Sequence, residues 1–304
     1  MNEQNHMDKK IELSYLVVTK NKLSYLKITL EKLIAEKKLD EEILVADGAS
    51  TDGTKDYLLG LKNSGAIDFL VSEVDFGVAH AMNKLILVAK GTLFMLIADD
   101  DAYDYQVLAE CKRFMLEHKN IDLVCANGGV LYSASNKNHP GYTIRPLDYA
   151  PEFKEWQRSH RPFAFAELGL ILRRSSLPVI GLRDLNIRRA DAEFSLRLTA
   201  GKARIAWYNG YSYVNVLNQQ SASKVYAKEM VKDIERLKQF YLGEEPDSFF
   251  VKRLKIIGNI LRSKFILKKS KSLIAIDQPW SALIIIAENW LARMNSVRKA
   301  EFIY

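Results

Sequence analysis

Cysteine is scarce in this 304-residue chain, which holds only Cys111 and Cys125. Two thiols without metal-ligand spacing make neither a disulfide framework nor a zinc site, and both read as reduced residues of a cytosolic protein. Long apolar runs are also missing. The amino-terminal stretch M-N-E-Q-N-H-M-D-K-K has no apolar centre, so no signal peptide is expected. The longest apolar run near the carboxyl end, Ala282 to Ala287, falls far short of the roughly 20 residues that span a bilayer. No internal repeat and no recognised nucleic-acid-binding motif is present, which argues against a nucleic-acid partner. What remains is a composition that is 48% hydrophobic and 27% charged, right for a globular protein with a substantial core. The length allows one large domain or two ordinary ones.

The net charge of +7 is unevenly spread. Residues 224–304 carry 16 Lys and Arg against 9 Asp and Glu, while residues 1–223 balance at 28 of each. This asymmetry places a neutral domain at 1–223 and a basic extension at 224–304, with an anionic partner for the extension.

The apolar pattern alternates between strands and helices. Strands are expected at Ile11–Thr19, Glu42–Ala46, Ile67–Val71, Leu93–Ala98 and Ile121–Ala126. Helical spacing lies between them, as in Leu23, Leu26, Leu30, Leu33 and Ile34. Such β-α-β-α alternation predicts a parallel sheet with right-handed crossovers. Residues 127–162 read as an irregular flap rich in glycine and proline. Phe163–Leu172 reads as a strand, Ala190–Thr199 as a helix closed by Gly201, and Arg204–Tyr208 as a strand. Helices are expected at about 224–242, 248–269 and 279–299.

One stretch organises the rest. L-F-M-L-I-A-D-D-D, Leu93 to Asp101, is an apolar run that ends in three consecutive acids, Asp99, Asp100 and Asp101. On a strand buried on both faces, these acids sit at the carboxyl end, where open α/β sheets bind ligands. Three adjacent carboxylates repel one another and call for a positive partner. Mg²⁺ or Mn²⁺ suits that role, held by one or two carboxylates plus substrate phosphates.

A second loop, E-I-L-V-A-D-G-A-S-T-D-G-T (Glu42 to Thr54), puts Asp47 at a strand end before a tight turn. It resembles the nucleotide-binding loop of family 2 glycosyltransferases. The segment S-E-V-D-F-G-V-A-H-A-M-N-K, Ser72 to Lys84, is similar to a further stretch of that family, and Asp99–Asp101 stand at its metal-binding D-x-D. The likeness covers about residues 11–215 and is strongest to 105. It implies a GT-A, Rossmann-like fold: a mostly parallel sheet flanked by helices, here with a carboxyl-terminal helical extension. It also implies a nucleotide-sugar donor and Mn²⁺ or Mg²⁺. By position, Thr19 lies near the nucleobase and Asp47 accepts a hydrogen bond from it. Asp75 and Asn83 surround the ribose and sugar, and Asp99 to Asp101 serve ribose and metal, with Asp101 and then Asp100 as the metal ligands. Two departures stand out: Ala46 replaces an acid of the usual loop, and His80 stands where many members have one.

Arg188 to Gly201, R-R-A-D-A-E-F-S-L-R-L-T-A-G, resembles the family's E-D helix and makes Asp191 the general base, with Glu193 as the alternative. Glu167 is a candidate for the acceptor side. From Ser248 to Ile276, eight basic residues and no acid alternate with apolar ones, which fits an interfacial helix on anionic lipid. The expectation is an inverting, metal-dependent transfer from a nucleotide sugar, a UDP-sugar first, to a glycan or lipid-linked acceptor. It fits the synthesis of cell-surface polysaccharide or lipopolysaccharide, at or near the cytoplasmic face of the inner membrane. The rivals are a nucleotidyltransferase and a non-catalytic binding module. The first normally carries a glycine-rich phosphate loop after its first strand, where this chain has T-K-N-K.

Overall fold

The structure is a computed structural model that describes residues 10–136, 139–201, 203–218, 227–243 and 279–304. Strands β1 (Leu13–Thr19), β2 (Glu41–Asp47), β3 (Phe69–Ser72) and β4 (Leu93–Ala98) alternate with helices α1 (Leu23–Glu36), α2 (Thr54–Asn63) and α3 (Val78–Val88). The short β5 (Ala102–Tyr103), α4 (Tyr105–Glu117) and the long β6 (Leu123–Asn136) follow. Strand β7 (His139–Leu147), α5 (Ala150–Ser159), β8 (Ile171–Arg173), α6 (Leu177–Ile180), α7 (Ala190–Ala200) and β9 (Ile205–Val216) complete the body. Then come α8 (Ala227–Leu242), α9 (Trp280–Val297) and β10 (Phe302–Ile303).

These strands form one sheet in the order β10-β9-β6-β8-β4-β1-β2-β3, with β5 on β9 and β7 on β6. Pairings β1–β2, β1–β4, β2–β3 and β6–β9 are parallel, and β8 runs antiparallel to both β4 and β6. Side chains alternate across the pleat, so the sheet has two apolar faces. Leu13, Tyr15 and Val17 of β1 join Leu26, Leu30 and Leu33 of α1 and the inner face of α4. Leu16 of β1 joins Leu85 and Ile86 of α3, Phe153 of α5 and Phe194 of α7 on the other face. A sheet covered by helices on both faces accounts for the near-continuous apolar runs read in its strands.

Three expectations change. The segment 127–162 is not an irregular flap. Most of it is the β6–β7 hairpin, followed by α5. Its prolines and glycines mislead because Pro151 occupies the first turn of α5, where no backbone donor is needed, and Gly128 and Gly129 lie within a strand. The strand expected at Phe163–Leu172 shrinks to Ile171–Arg173, preceded by a 3₁₀ turn at Glu167–Gly169. The boundary expected at 223/224 does not set residues 279–304 apart. Leu283, Ile284, Ala287 and Leu291 of α9 pack on Ala102, Tyr211, Val214 and Val216, and β10 extends the sheet beside β9. The helix expected at 248–269 and the basic stretch 248–276 lie outside the described residues.

Candidate active site

The parallel register lines up the carboxyl ends of four neighbouring strands. Thr19 pairs with Asp47, Asp47 with Ser72, and Val18 with Ala98, so Asp99 falls beside Thr19. Asp47 is 1% exposed. Its carboxylate accepts from Ser50 N at 3.1 Å, from Ser72 Oγ at 2.7 Å and from Ser50 Oγ. The turn it organises is knitted to the β1–α1 corner. Asn21 N donates to Ser50 Oγ, Thr51 N to Asn21 Oδ1, and Leu23 N to Asp52 Oδ2. Asn21 holds this corner at φ 53°, a conformation that asparagine tolerates better than most side chains.

Asp75 lies against the same turn. Its Oδ1 accepts from Gly77 N at 2.8 Å, and a Cβ at Gly48 would lie 2.6 Å from its Oδ2, so a side chain there would push the Asp75 carboxylate away from the turn. Asn83 does not reach toward the acids. It forms a reciprocal pair with the backbone of Arg183, donating to its carbonyl at 2.9 Å and accepting from its amide at 3.0 Å. It therefore positions the 181–189 segment. His80 accepts from Phe76 N through Nδ1 at 3.3 Å.

The three acids are all buried, at 4%, 6% and 3% exposure, and Lys22 is shared by the first two. Lys22 Nζ lies 2.9 Å from Asp99 Oδ1 and 2.6 Å from Asp100 Oδ2. Asn218 Nδ2 donates to the same Asp100 oxygen at 2.7 Å. Asp101 turns toward β9, where Val216 N and Asn215 Nδ2 donate to its Oδ1 at 2.8 and 3.0 Å. Burial raises the Asp99 carboxyl to about 6, with Lys22 opposing and Asp100 adding to the shift. Burial and the charge of Asp100 hold Asp101 well above the usual carboxylate range. Burial works against the Lys22 ammonium, but the two carboxylates win and hold it above an ordinary lysine.

The chemistry of this donor set suits a hard divalent cation, since it offers carboxylate oxygens and Lys22 already places one positive group between Asp99 and Asp100. No cluster of three or more His, Cys, Asp or Glu able to hold a metal occurs among the described residues. The Asp101 carboxylate is turned to Asn215 and Val216. A cation here would rest on Asp99 and Asp100 and would take its other ligands from substrate.

Asp191 stands in the first turn of α7 with its side chain 46% exposed, 3.7 Å from Arg189 Nε. Burial and the nearby charges of Asp101 and Asp191 raise the Tyr213 hydroxyl well above its usual range. Glu193 is committed elsewhere. It accepts from Arg197 Nε at 2.8 Å and Tyr241 Oη at 3.0 Å, tying α7 to α8. Glu167 and Arg183 form a pair in which both side chains are 4% exposed, at 2.8 Å. Burial raises the Glu167 carboxyl while Arg183 opposes, and its Oε1 has no partner. Thr19 Oγ1, Ser212 Oγ and Tyr213 Oη are also buried without close partners. Thr19 Oγ1 lies at the carboxyl end of β1, beside Asp99, where a polar ligand could meet it.

Lys22, Asn215 and Asn218 belong to this site and do not follow from the sequence. The two asparagines lie 114 and 118 positions from the acids they touch, and nothing local marks them. The T-K-N-K run showed a lysine without showing where it points.

The family model described as "Glycosyl transferase family 2" matches residues 14–177, more than half of the chain. A mycobacterial protein named "PGL/p-HBAD biosynthesis glycosyltransferase", found in Mycobacterium tuberculosis and Mycobacterium bovis, is 34% identical over 125 residues. That match covers 40% of this chain and 48% of the relative, so the chain spans about half the length of the curated relatives it matches. Among solved structures, S. aureus TarS in complex with UDP-GlcNAc superposes with a TM-score of 0.57 at 18% identity, over 74% of this chain and 65% of that one. The mannosyltransferase PcManGT from Pyrobaculum calidifontis, in complex with GDP-Man and Mn²⁺, gives 0.52 at 14% identity, over 93% and 84%. Both likenesses establish a shared GT-A fold.

Proposed function

The chain belongs to glycosyl transferase family 2, and from that premise we propose that it transfers a sugar, with inversion, from a nucleotide sugar to a hydroxyl acceptor. The observation that carries the reading is the row of buried acids along the carboxyl edge, Asp47, Asp99 and Asp100, with the half-exposed carboxylate of Asp191 on a separate helix. One group of acids meets the nucleotide, and the other remains open to an incoming hydroxyl.

The Asp47 carboxylate accepts from three donors, Ser50 N (shared between both oxygens), Ser50 Oγ and Ser72 Oγ, and as an acceptor-only group at the strand end it suits a nucleobase N–H. A uracil ring offers such a group, and TarS is described in complex with UDP-GlcNAc, so a UDP-sugar is the first donor to test. Asp75 and Gly48 line the same turn. Asp99 and Asp100 would hold Mn²⁺, the ion present with PcManGT, or Mg²⁺, while the hydrogen bonds of Asp101 to Asn215 and Val216 favour Asp100 over Asp101 of the two ligands expected from the sequence. When bound, the ion supplies charge neutralisation for the leaving diphosphate.

Asp191 takes the proton from the acceptor hydroxyl as it attacks the anomeric carbon on the face opposite the nucleotide. The Arg189 guanidinium, 3.7 Å away, sets a positive charge beside this carboxylate. Asn83, through the backbone of Arg183, and Asp233, which accepts from Arg188 N and Arg189 N, fix the segment that leads into α7. The acceptor is a glycan or a lipid-linked glycan. The basic stretch 248–276 would hold the enzyme against anionic lipid at the cytoplasmic leaflet, where a lipid-linked acceptor is presented. No described helix is long and apolar enough to cross a membrane.

The deciding experiment is a screen of UDP-, GDP- and dTDP-sugars for donor hydrolysis and transfer, with the anomeric configuration of the product read by NMR. Asp191→Asn should bind UDP as the wild type does while losing about 10²- to 10⁴-fold in turnover. Hydrolysis of none of these donors, or full turnover in Asp191→Asn, refutes the assignment.

A further inference from the structure

We propose that Lys22 is a resident cation of the acid cluster, one that a divalent metal must displace from Asp99 and Asp100 in order to bind. The inference rests on the proposed function only for the identity of the incoming ion.

The first argument is the position of the ammonium. It sits between Asp99 Oδ1 and Asp100 Oδ2, at 2.9 and 2.6 Å. Those two carboxylates are the ones left to face a ligand, because Asp101 is spent on Val216 and Asn215. An ion shared by Asp99 and Asp100 would seek the oxygens that Nζ holds.

The second argument is that Lys22 is delivered there by rigid backbone. Lys22 O accepts from Tyr25 N and Leu26 N as α1 begins. Its neighbours Asn21 and Leu23 are tied to Ser50, Thr51 and Asp52. The loop that cradles Asp47 thus also fixes the root of Lys22. Only the side chain is left to swing, and it is 15% exposed, so a path out of the cluster exists.

The third argument is a comparison within the molecule. At the opposite end of the same sheet, Lys112 Nζ lies among Asp40, Glu41 and Glu12 at 2.7, 3.0 and 3.5 Å. Both clusters set one ammonium against three acids. At Lys112 two of the acids are in contact with water, with Asp40 32% and Glu12 35% exposed, and solvent screens the excess charge. At Lys22 all three acids are at most 6% exposed. There water cannot do the same, and the acids outnumber the single ammonium in a buried corner. One ammonium is enough to keep the apo cluster folded and too little to neutralise it. A divalent ion held there by Asp99 and Asp100 would supply twice the charge of the Lys22 ammonium.

The test is Mn²⁺ binding to the full chain without nucleotide, followed by electron paramagnetic resonance and calorimetry. Lys22→Met should bind Mn²⁺ about tenfold or more tightly than the wild type, because a competing positive charge has gone from a partly buried site. Lys22→Arg keeps the competitor and should stay near wild-type affinity. Equal or weaker Mn²⁺ binding by Lys22→Met overturns the proposal. A measurement on the wild type alone guards against misfolding of the variants. The Lys22 ammonium, labelled with ¹⁵N, should lose its slow-exchanging hydrogen-bonded signal as Mg²⁺ is added. A signal unchanged at saturating Mg²⁺ refutes displacement. Because neither readout uses a sugar donor, a chain that binds Mn²⁺ as described but turns over no donor would sink the proposed function and leave this inference standing.

Discussion

Replacing Asp99 by Asn should make the metal-free protein more stable at neutral pH, against the usual result of mutating a buried ion-paired residue. Asp99 titrates at about 6 in the folded chain, against 3.8 for an unperturbed aspartate. For a carboxyl raised in this way, the folded state binds the proton more tightly than the unfolded chain does. Its favourable contribution is therefore complete below pH 4 and is lost as the pH climbs through 6. The rise from 3.8 to about 6 corresponds to about 3 kcal/mol of stability withheld at pH 7.5. Asn mimics the protonated acid and escapes the penalty. The ion pair with Lys22 is already counted in the shifted value, and Lys22 keeps Asp100. At roughly 2 °C per kcal/mol for a chain of this size, the variant should melt about 5 °C higher than the wild type at pH 7.5 in EDTA. The gap should close toward pH 4.5. A variant that melts below the wild type at pH 7.5, or a gap that does not change with pH, refutes the charge reasoning. The gain has a functional cost, because Asp99→Asn should also weaken Mn²⁺ binding.

Arg183→Met leaves Glu167 buried without its partner and should cost about 3–5 kcal/mol, read as a lower urea midpoint. Adding Glu167→Gln to the same chain should recover part of the loss. Asp100→Ala should weaken UDP binding measured by calorimetry in Mn²⁺ and should leave the metal-free value nearly unchanged. Equal loss in EDTA would remove Asp100 from the metal. Replacing Lys264, Lys268, Lys269 and Lys271 by Gln should release the protein from anionic vesicles at low salt, since each basic residue near such a surface contributes about 1 kcal/mol. Failure of the wild type to sediment with those vesicles would end the membrane reading.

The sequence discloses this site as far as one strand end can carry it. Asp47 and Asp99–Asp101 were legible because apolar runs ended in acids, and a parallel sheet brings all such ends to one edge. The hairpin at 123–147 was hidden because glycine and proline read as loop signals, although an edge strand accepts Pro146 and a flat contact requires Gly128. A Cβ at Gly128 would sit 2.1 Å from Cζ of Tyr213. The return of α9 and β10 to the sheet was hidden by charge, since the basic excess of 224–304 suggested a separate extension. Yet the apolar face of α9 meets β9, and Lys32 reaches Glu288 at 2.6 Å. What no local pattern could yield was which acid stays open. A run of three aspartates has no internal asymmetry. The asymmetry arrives from afar, when Asn215 and the Val216 amide draw Asp101 to β9 and Asn218 and Lys22 converge on Asp100. Tertiary packing against β9 thus sets the three carboxylates apart, and if Asp99 and Asp100 hold the ion as proposed, a substitution at Asn215 that frees Asp101 should alter its coordination without touching the acids themselves.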